Sequence, residues 1–220
     1  MAQGGEVRGG YCPACDGFVD AAICPVHNLA TTTLDGFSRA EDLKPGQRFG
    51  QRFEIVRMLG RGAMGAVYLA EQLSMGRLVA LKVMGPAALR DGEESIRRFH
   101  QEARSASRLN HPNVVAVYDF GVDDERSMPF IAMEVLEGET LASLAQSRGP
   151  VPLGEAAAIA SGIARGLAAA HRLGIVHRDL KPENVLVHAP DGDADEAQVK
   201  IVDFGIARSM TAGGAADDDG

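Results

Sequence analysis

The chain has 220 residues, 45% of them hydrophobic, with a formal net charge of −8 and an isoelectric point near 5.2. This is enough for one medium-sized domain with a core, and the acidic balance disfavours nucleic acid or an anionic membrane as partner. No apolar stretch approaches the roughly 20 residues that cross a bilayer, and residues 1–10 lack the apolar core of a signal peptide. We therefore expect a cytoplasmic chain without a membrane segment.

All three cysteines lie in the first 30 residues. They form two short patterns, C-P-x-C and C-P-x-H, and each pattern presents two soft donors across a tight turn, as zinc knuckles do. An odd number of clustered thiols favours a metal in a reducing compartment over a disulfide framework. The alternative is three unrelated thiols and a surface histidine. We predict a zinc knuckle over residues 1–30, with ligands Cys12, Cys15, Cys24 and His27, or Asp16 or Asp20 in place of His27.

The rest of the chain separates by composition into three parts. Residues 31–50 are polar and turn-rich, which is typical of a linker. Residues 51–208 alternate between apolar and polar positions and form the predicted folded domain. Residues 209–220 are small and acidic, and we expect them to be disordered.

The folded region predicts an α+β architecture with two lobes and a cleft between them. Alternating apolar residues predict strands, and apolar residues three and four apart predict helices. The strands come mostly first, with one helix among them, and a mainly helical part follows. The predicted strands are 53–59, 66–70, 78–83, 114–120, 130–135, 184–187 and 199–202, and the predicted helices are 96–109 and 155–173.

A glycine-rich segment, GRGAMG at residues 60–65, links the first two predicted strands. Glycines allow the backbone to approach phosphate groups closely and to offer them N–H donors. Dinucleotide-binding domains share the G-x-G-x-x-G spacing, but there the segment leads into a helix. Here residues 66–70 continue as a strand, which favours a phosphate-covering hairpin.

Lys82 lies inside an apolar predicted strand, and Glu102 lies beside the apolar face of a predicted helix. A lysine in such a strand is more often an edge residue whose ammonium reaches water. A carboxylate at the position of Glu102 would be costly to bury unless it were paired. An ion pair between the two residues explains both positions, and we predict it.

The segment HRDLKPEN at residues 177–184 is followed by DFG at residues 203–205. Asn184 and Asp203 offer the oxygen ligands that Mg²⁺ prefers. Asp179 is a carboxylate that could accept a proton from a hydroxyl group. The alternative for any one of these residues alone is a solvated loop position.

Taken in order, these segments resemble the eukaryotic-like protein kinase superfamily. The lysine in HRDLKPEN resembles the serine/threonine branch, and residues 109–115 and 133–141 resemble bacterial members. The resemblance covers about residues 50–208. It implies a small lobe at about 51–136, with a five-stranded sheet and one helix, and part of a helical large lobe at 137–208.

The resemblance also implies the roles of individual residues. Asp179 would deprotonate the substrate hydroxyl, Lys181 would steady the γ-phosphate, and Asn184 and Asp203 would hold Mg²⁺. Lys82, oriented by Glu102, would contact the α- and β-phosphates. The implied ATP contacts are Leu59, Gly60, Gly62, Gly65, Val67, Ala80, Lys82, Met133, Glu134, Leu136 and Leu186.

The function that the resemblance implies is transfer of the ATP γ-phosphate to serine or threonine hydroxyl groups of proteins. The family's Ala-Pro-Glu motif and the helices after it do not occur in these 220 residues. Two alternatives therefore stay open. One is an ATP-binding or scaffold chain, truncated or pseudokinase-like, without turnover, and the other is a zinc-dependent interaction module.

Overall fold

The computed structural model describes residues 10–12, 14–15, 17–21, 23–29, 31–32, 42–62, 65–85, 93–123, 125–126, 128–188 and 198–204. The predicted disordered tail at 209–220 and residues 33–41 of the predicted linker lie outside these residues. At the N-terminal end, β1 (Gly10–Cys12) and β2 (Gly17–Val19) pair as an antiparallel hairpin.

A six-stranded antiparallel sheet forms the first lobe, and α1 (Glu93–Ser107) packs against it. The strand order is β3-β4-β5-β6-β8-β7. The strands are β3 (Arg48–Phe49), β4 (Phe53–Gly62), β5 (Gly65–Gln72), β6 (Arg77–Met84), β7 (Val117–Val122) and β8 (Pro129–Met133).

The sheet has one strand more than the five predicted, because β3 lies within the segment 31–50 that was predicted as a linker. Phe49 from this strand is buried, and its ring meets Phe130 edge to face at 5.7 Å. Phe53 contacts the same ring at 5.4 Å. A two-residue strand is too short to show an alternating pattern, so the sequence carried no signal for it.

The second lobe contains a small antiparallel sheet and two helices. The sheet order is β11-β10-β9, with β9 (Glu139–Thr140), β10 (Val185–His188) and β11 (Gln198–Ile201). The helices are α2 (Leu141–Arg148) and α3 (Leu153–Arg172), and a 3₁₀ turn (Pro182–Asn184) precedes β10. No helix in the described part of the chain is both long and apolar enough to span a membrane.

Two of these elements, α2 and β9, were not predicted. The α2 helix buries only Leu144 and so lacks a continuous apolar face. It begins at a cap instead, because the Thr140 hydroxyl accepts a hydrogen bond from the Ser143 N–H at 3.1 Å.

Small residues let α3 approach β11 closely. A Cβ atom added at Gly166 would lie 2.8 Å from the Asn113 carbonyl oxygen and 2.8 Å from Ile201 Cδ1. Asn113 also accepts a hydrogen bond from the Ile201 N–H at 3.0 Å and donates from its side chain to the Val199 carbonyl at 2.8 Å. This seam fixes β11, and β11 leads directly to Asp203.

We predict that Gly166→Ala lowers the free energy of unfolding by about 1–3 kcal/mol, because the new methyl group meets a backbone carbonyl that cannot move aside. Gly154 lies in the same helix with no atom within 4 Å of its Cβ position. Gly154→Ala should therefore cause no loss, and a gain of up to about 1 kcal/mol. Urea unfolding of both variants measures the difference, and equal stability of the two would contradict the close seam.

Candidate functional site

One face of the large sheet gathers the predicted nucleotide contacts. Cross-strand pairing places Val67 opposite Lys82 and Ala80 opposite Met133. Residues opposite each other, or two apart on one strand, point to the same side of a sheet. Val67, Ala80, Lys82 and Met133 therefore share one face, and it is the face on which Glu102 meets Lys82.

The glycine-rich hairpin extends over this face. Gly62 pairs with Gly65 at its tip, and residues 63–64 lie outside the described part of the chain. Gly65 has a φ of +146°, and a Cβ atom there would lie 2.0 Å from the Val83 carbonyl oxygen, so only glycine fits. Among the described residues, no atom lies within 4 Å of the Cβ positions of Gly60 and Gly62. A large anionic group can therefore approach the backbone closely at these two positions.

The Lys82 side chain makes two ion pairs. Its Nζ lies 3.0 Å from Glu102 Oε1 and 2.8 Å from Asp203 Oδ1. Lys82 and Glu102 are 9% and 7% exposed, so these charges are largely removed from water. The predicted Lys82–Glu102 pair is present, and Asp203 from the other lobe joins it.

Burial and charge act in opposite directions on this cluster. Burial alone would lower the pKa of Lys82, but the charges of Glu102 and Asp203 raise it above its usual value. Burial would likewise raise the pKa of Asp203, but the charge and hydrogen bond of Lys82 lower it. Burial raises the pKa of Glu102, although Lys82 opposes this shift. The ammonium group thus keeps Asp203 ionised, which is the state that binds a metal ion.

The backbone around Asp203 is held in an uncommon conformation. Asp203 and Arg178 have φ values of +52° and +61°, in the left-handed region that non-glycine residues rarely adopt. His177 supports the turn, because its Nε2 lies 3.0 Å from the Val202 carbonyl oxygen and its ring packs on Phe204 at 4.7 Å. Such positions persist only where the surrounding contacts fix them, and they concentrate at functional sites.

Asp179, Lys181 and Asn184 form a second polar group beside Asp203. Lys181 Nζ lies 2.9 Å from Asp179 Oδ2, and Asn184 Nδ2 donates to the same oxygen at 3.2 Å. The hydrogen bond from Lys181 lowers the pKa of Asp179. Asn184 uses its amide nitrogen here, so its Oδ1 is the atom that could bind a cation. The Asn184 carbonyl accepts the Val202 N–H at 3.0 Å, which holds Asn184 next to the Asp203 segment.

Glu134 follows Met133 where the chain passes between the lobes. Its N–H donates to the Ala116 carbonyl at 2.9 Å, so its own carbonyl is the backbone group that could face a ligand. Its carboxylate accepts from the Ala116 N–H at 2.7 Å and from Lys200 Nζ at 2.7 and 2.8 Å. Lys200, on β11, was missed in the sequence analysis. A charged residue between Val199 and Ile201 in a short strand was the available signal.

The donor set fits a magnesium-bound nucleotide. The glycine hairpin leaves open space, Lys82 supplies a buried cation, and Asn184 and Asp203 supply two oxygens on adjoining segments. Leu59 is 40% exposed at the end of the hairpin strand, and Leu186 is half-buried on β10. Leu59, Leu136 and Leu186 stay predicted contacts.

A second cluster lies in the N-terminal hairpin. The side-chain donor atoms of Cys12, Cys15, Cys24 and His27 all lie within 4.8 Å of one another. The His27 Nδ1 atom is 3.2, 3.7 and 4.0 Å from the sulfurs of Cys15, Cys24 and Cys12, and the sulfurs of Cys15 and Cys24 are 3.5 Å apart. Tetrahedral zinc, with bonds of about 2.3 Å to sulfur and 2.0 Å to nitrogen, places its ligand atoms roughly 3.5 to 3.8 Å apart. The four atoms therefore have nearly the spacing of a tetrahedral site.

Backbone groups favour a thiolate at Cys24. Burial alone would raise the pKa of this thiol, but hydrogen bonds from the backbone of His27 and Val26 and from the His27 ring lower it to about 6. A deprotonated sulfur is the form that binds metal.

Comparison with known proteins gives consistent matches. Residues 53–218 match the family described as the protein kinase domain. Serine/threonine-protein kinase PrkC of Bacillus subtilis is 41% identical over 166 residues, which is 76% of this chain and 24% of PrkC. Serine/threonine-protein kinase PknL of Mycobacterium tuberculosis is 42% identical over 161 residues, which is 73% of this chain and 38% of PknL.

Serine/threonine-protein kinase Pkn1 of Myxococcus xanthus is 39% identical over an alignment of 209 positions, which covers 91% of this chain and 29% of Pkn1. This match is longer than residues 53–218 and therefore includes part of the N-terminal segment. The crystal structure of the Mycobacterium tuberculosis PknI kinase domain superposes with a TM-score of 0.65 at 37% identity, covering 76% of this chain and 64% of that one. The chain spans less than two-fifths of the length of these three curated relatives.

Proposed function

The chain belongs to the protein kinase domain family, and from this premise we propose that it transfers the γ-phosphate of ATP to serine or threonine hydroxyl groups of proteins. The observation that carries the proposal is the Lys82 ammonium, bound to Glu102 of one lobe and to Asp203 of the other. This arrangement holds the proposed phosphate-binding cation and the proposed magnesium ligand together. Relatives named as serine/threonine kinases support the choice of acceptor.

Binding places the nucleotide between the sheet face and the second lobe. Val67 and Ala80 above and Leu186 below would enclose the adenine, with Met133 behind it. The Glu134 carbonyl and the backbone of Leu136 would bind the adenine edge. The N–H groups of the glycine hairpin would cover the phosphates. Mg²⁺, when bound by Asn184 and Asp203, supplies charge neutralisation at the phosphate oxygens.

Lys82 and Asp203 would act together on the nucleotide. Asp203 Oδ1 lies 2.8 Å from the ammonium group, and the same carboxylate is the proposed metal ligand. Lys82 would bind the phosphates, and Asp203 would help to hold the metal ion beside them. Glu102 would keep the ammonium in place, because it holds Lys82 from α1 of the same lobe at 3.0 Å.

The transfer step needs one base and one cation near the acceptor. Asp179 orients the hydroxyl group and takes its proton, while the hydroxyl oxygen forms a bond to the γ-phosphorus. The bond from that phosphorus to the β–γ bridging oxygen breaks, and ADP leaves. Lys181, 2.9 Å from Asp179, lies where it could stabilise the charge on the transferred group. Positioning and charge neutralisation supply most of the rate in such reactions.

We predict that Asp179→Asn abolishes transfer of labelled γ-phosphate to the chain itself and to a general protein substrate, while Mg-ATP affinity changes less than about threefold. The asparagine keeps the shape of Asp179 but cannot accept the proton. The matched control is Asp119→Asn. Asp119 lies on the outer strand β7 and forms an ion pair with Arg52. Transfer by both variants would contradict the role of Asp179. ATP binding without transfer by the unmodified chain would favour the alternative of an ATP-binding or scaffold chain.

We further propose that Cys12, Cys15, Cys24 and His27 bind one zinc ion. The spacing of the four atoms and the hydrogen bonds to Cys24 support zinc. A cytoplasmic location agrees with both proposals, because ATP is available there and a reducing environment keeps thiols free to bind metal.

Metal analysis of the purified chain should find about one zinc ion per chain. His27→Ala should lower zinc affinity by at least about tenfold, because one of four ligands is lost. His171→Ala replaces an exposed histidine of α3 and should leave zinc content unchanged. A metal-free N-terminal segment that keeps its fold would contradict the zinc site, and full zinc affinity in His27→Ala would assign the fourth ligand to another residue.

A further inference from the structure

The N-terminal hairpin is packed against the helix that carries Glu102. Tyr11, between Gly10 and the ligand Cys12 on β1, is completely buried. It belongs to the same hydrophobic core as Ile96 and Phe99 of α1 and the strands of the large sheet. The residue next to a metal ligand is therefore part of the core of the ATP-binding lobe.

Aromatic stacking joins Tyr11 to α1. The Tyr11 ring stacks on His100 at 5.1 Å with an angle of 25° between the ring planes. Phe18 of β2 supports Tyr11 edge to face at 5.4 Å, and Thr32 Oγ1 lies 3.4 Å from His100 Nε2. Two backbone hydrogen bonds of 2.9 and 3.0 Å tie Tyr11 to Thr32. His100 is only 1% exposed, so the knuckle covers it.

The geometry of α1 relates the contact at His100 to the ion pair at Glu102. An α-helix turns about 100° per residue, so residues two apart point to nearly opposite sides. His100 faces the knuckle, and Glu102 faces Lys82. Phe99 and Ala103 face the sheet and are fully buried. The α1 helix therefore lies between the knuckle on one side and the ammonium of Lys82 on the other.

The stacked rings of Tyr11 and His100 are one contact between the knuckle and α1. The knuckle and α1 also border a cavity of about 700 Å³. Asn28 and Leu29 of the knuckle, Arg104 of α1 and residues 120–123 at the end of β7 contribute to its lining.

We propose that zinc in the knuckle positions α1 through Tyr11 and His100, and thereby stabilises the Lys82–Glu102 ion pair. The proposal rests on the zinc site proposed above and makes Tyr11 and His100 positioning residues for nucleotide binding. The knuckle strands have three residues each, too few for a core of their own, so a bound metal would add to the contacts of Tyr11 and Phe18 in fixing them. Loss of zinc releases Tyr11 from His100, and α1 with Glu102 becomes less ordered.

The test is amide hydrogen exchange on the complete chain, as the zinc-loaded protein and after removal of zinc with a chelator. Removal should speed exchange of the α1 amides at residues 96–107 about tenfold or more, while α3 amides at 153–172 keep their rates. Mg-ATP affinity, measured by calorimetry on the same samples, should fall several-fold.

Two variants separate the aromatic contact from zinc binding. Tyr11→Ala keeps all four ligands and should keep one zinc per chain, yet its α1 should exchange fast with or without zinc. Tyr11→Phe keeps the stacked ring and should behave like the unmodified chain.

The outcomes distinguish the two proposals. Stoichiometric zinc with identical α1 exchange in loaded and stripped protein would overturn the coupling and leave the zinc site standing. Faster exchange in α3 as well as α1 would also overturn it, because the effect would then be general unfolding. Absence of zinc in the metal analysis would overturn both proposals.

Discussion

The ammonium group of Lys82 is the charge on which the site depends. It neutralises two carboxylates, Glu102 and Asp203, that reach it from α1 and from the end of β11. Lys82 and Glu102 would each be costly to bury alone, and the half-exposed Asp203 gains its counter-charge from the same ammonium group. The position of α1 against the sheet and the position of the DFG turn are therefore energetically linked through one side chain of β6.

Packing in both lobes holds the elements that carry Glu102 and Asp203 in place around Lys82. On one side, α1 rests on the sheet through Phe99 and Ala103. On the other, Gly166 lets α3 approach Asn113 and β11 closely enough to fix the strand before Asp203. The N-terminal knuckle adds a third support, since Tyr11 reaches the opposite face of α1. A module that looks like a separate appendage in the sequence is thus part of the core of the first lobe.

Much of this site could be predicted from the sequence because its residues violate local rules in a correlated way. A lysine in an apolar strand and a glutamate beside an apolar helix face would each be costly to bury without a charged partner. Their opposite charges therefore predict that the two residues pair with each other. The third member of the cluster could not be predicted with them. Asp203 lies 121 positions after Lys82, and nothing in local pattern specifies how two lobes meet. The resemblance to kinases implied Asp203 as a metal ligand, but not its contact with Lys82.

The elements that the sequence did not predict were missed for the same physical reason. The strand Arg48–Phe49 and the helix Leu141–Arg148 are held by tertiary contacts and a cap, so neither shows a periodic apolar face. The sequence did not predict the contacts of Lys200 with Glu134 and of Tyr11 with His100. The partners in each pair are far apart in sequence, and none of the four lies in a recognisable motif of its own contact. Local sequence patterns predict long periodic helices and strands and charged residues at apolar positions. Contacts between residues far apart in sequence can be identified only once the fold is known.

The most direct test of the central claim is the stability and nucleotide binding of Lys82→Met compared with Lys181→Met. The methionine at position 82 leaves Glu102 buried, and Asp203 half-exposed, without the ammonium as counter-charge. The account therefore predicts a loss of about 3–5 kcal/mol in unfolding free energy, together with loss of Mg-ATP binding. Lys181 pairs with Asp179 at the surface, so its replacement should barely change stability. Equal and small effects of the two substitutions on stability and on Mg-ATP affinity would contradict the claim that Lys82 holds the site together.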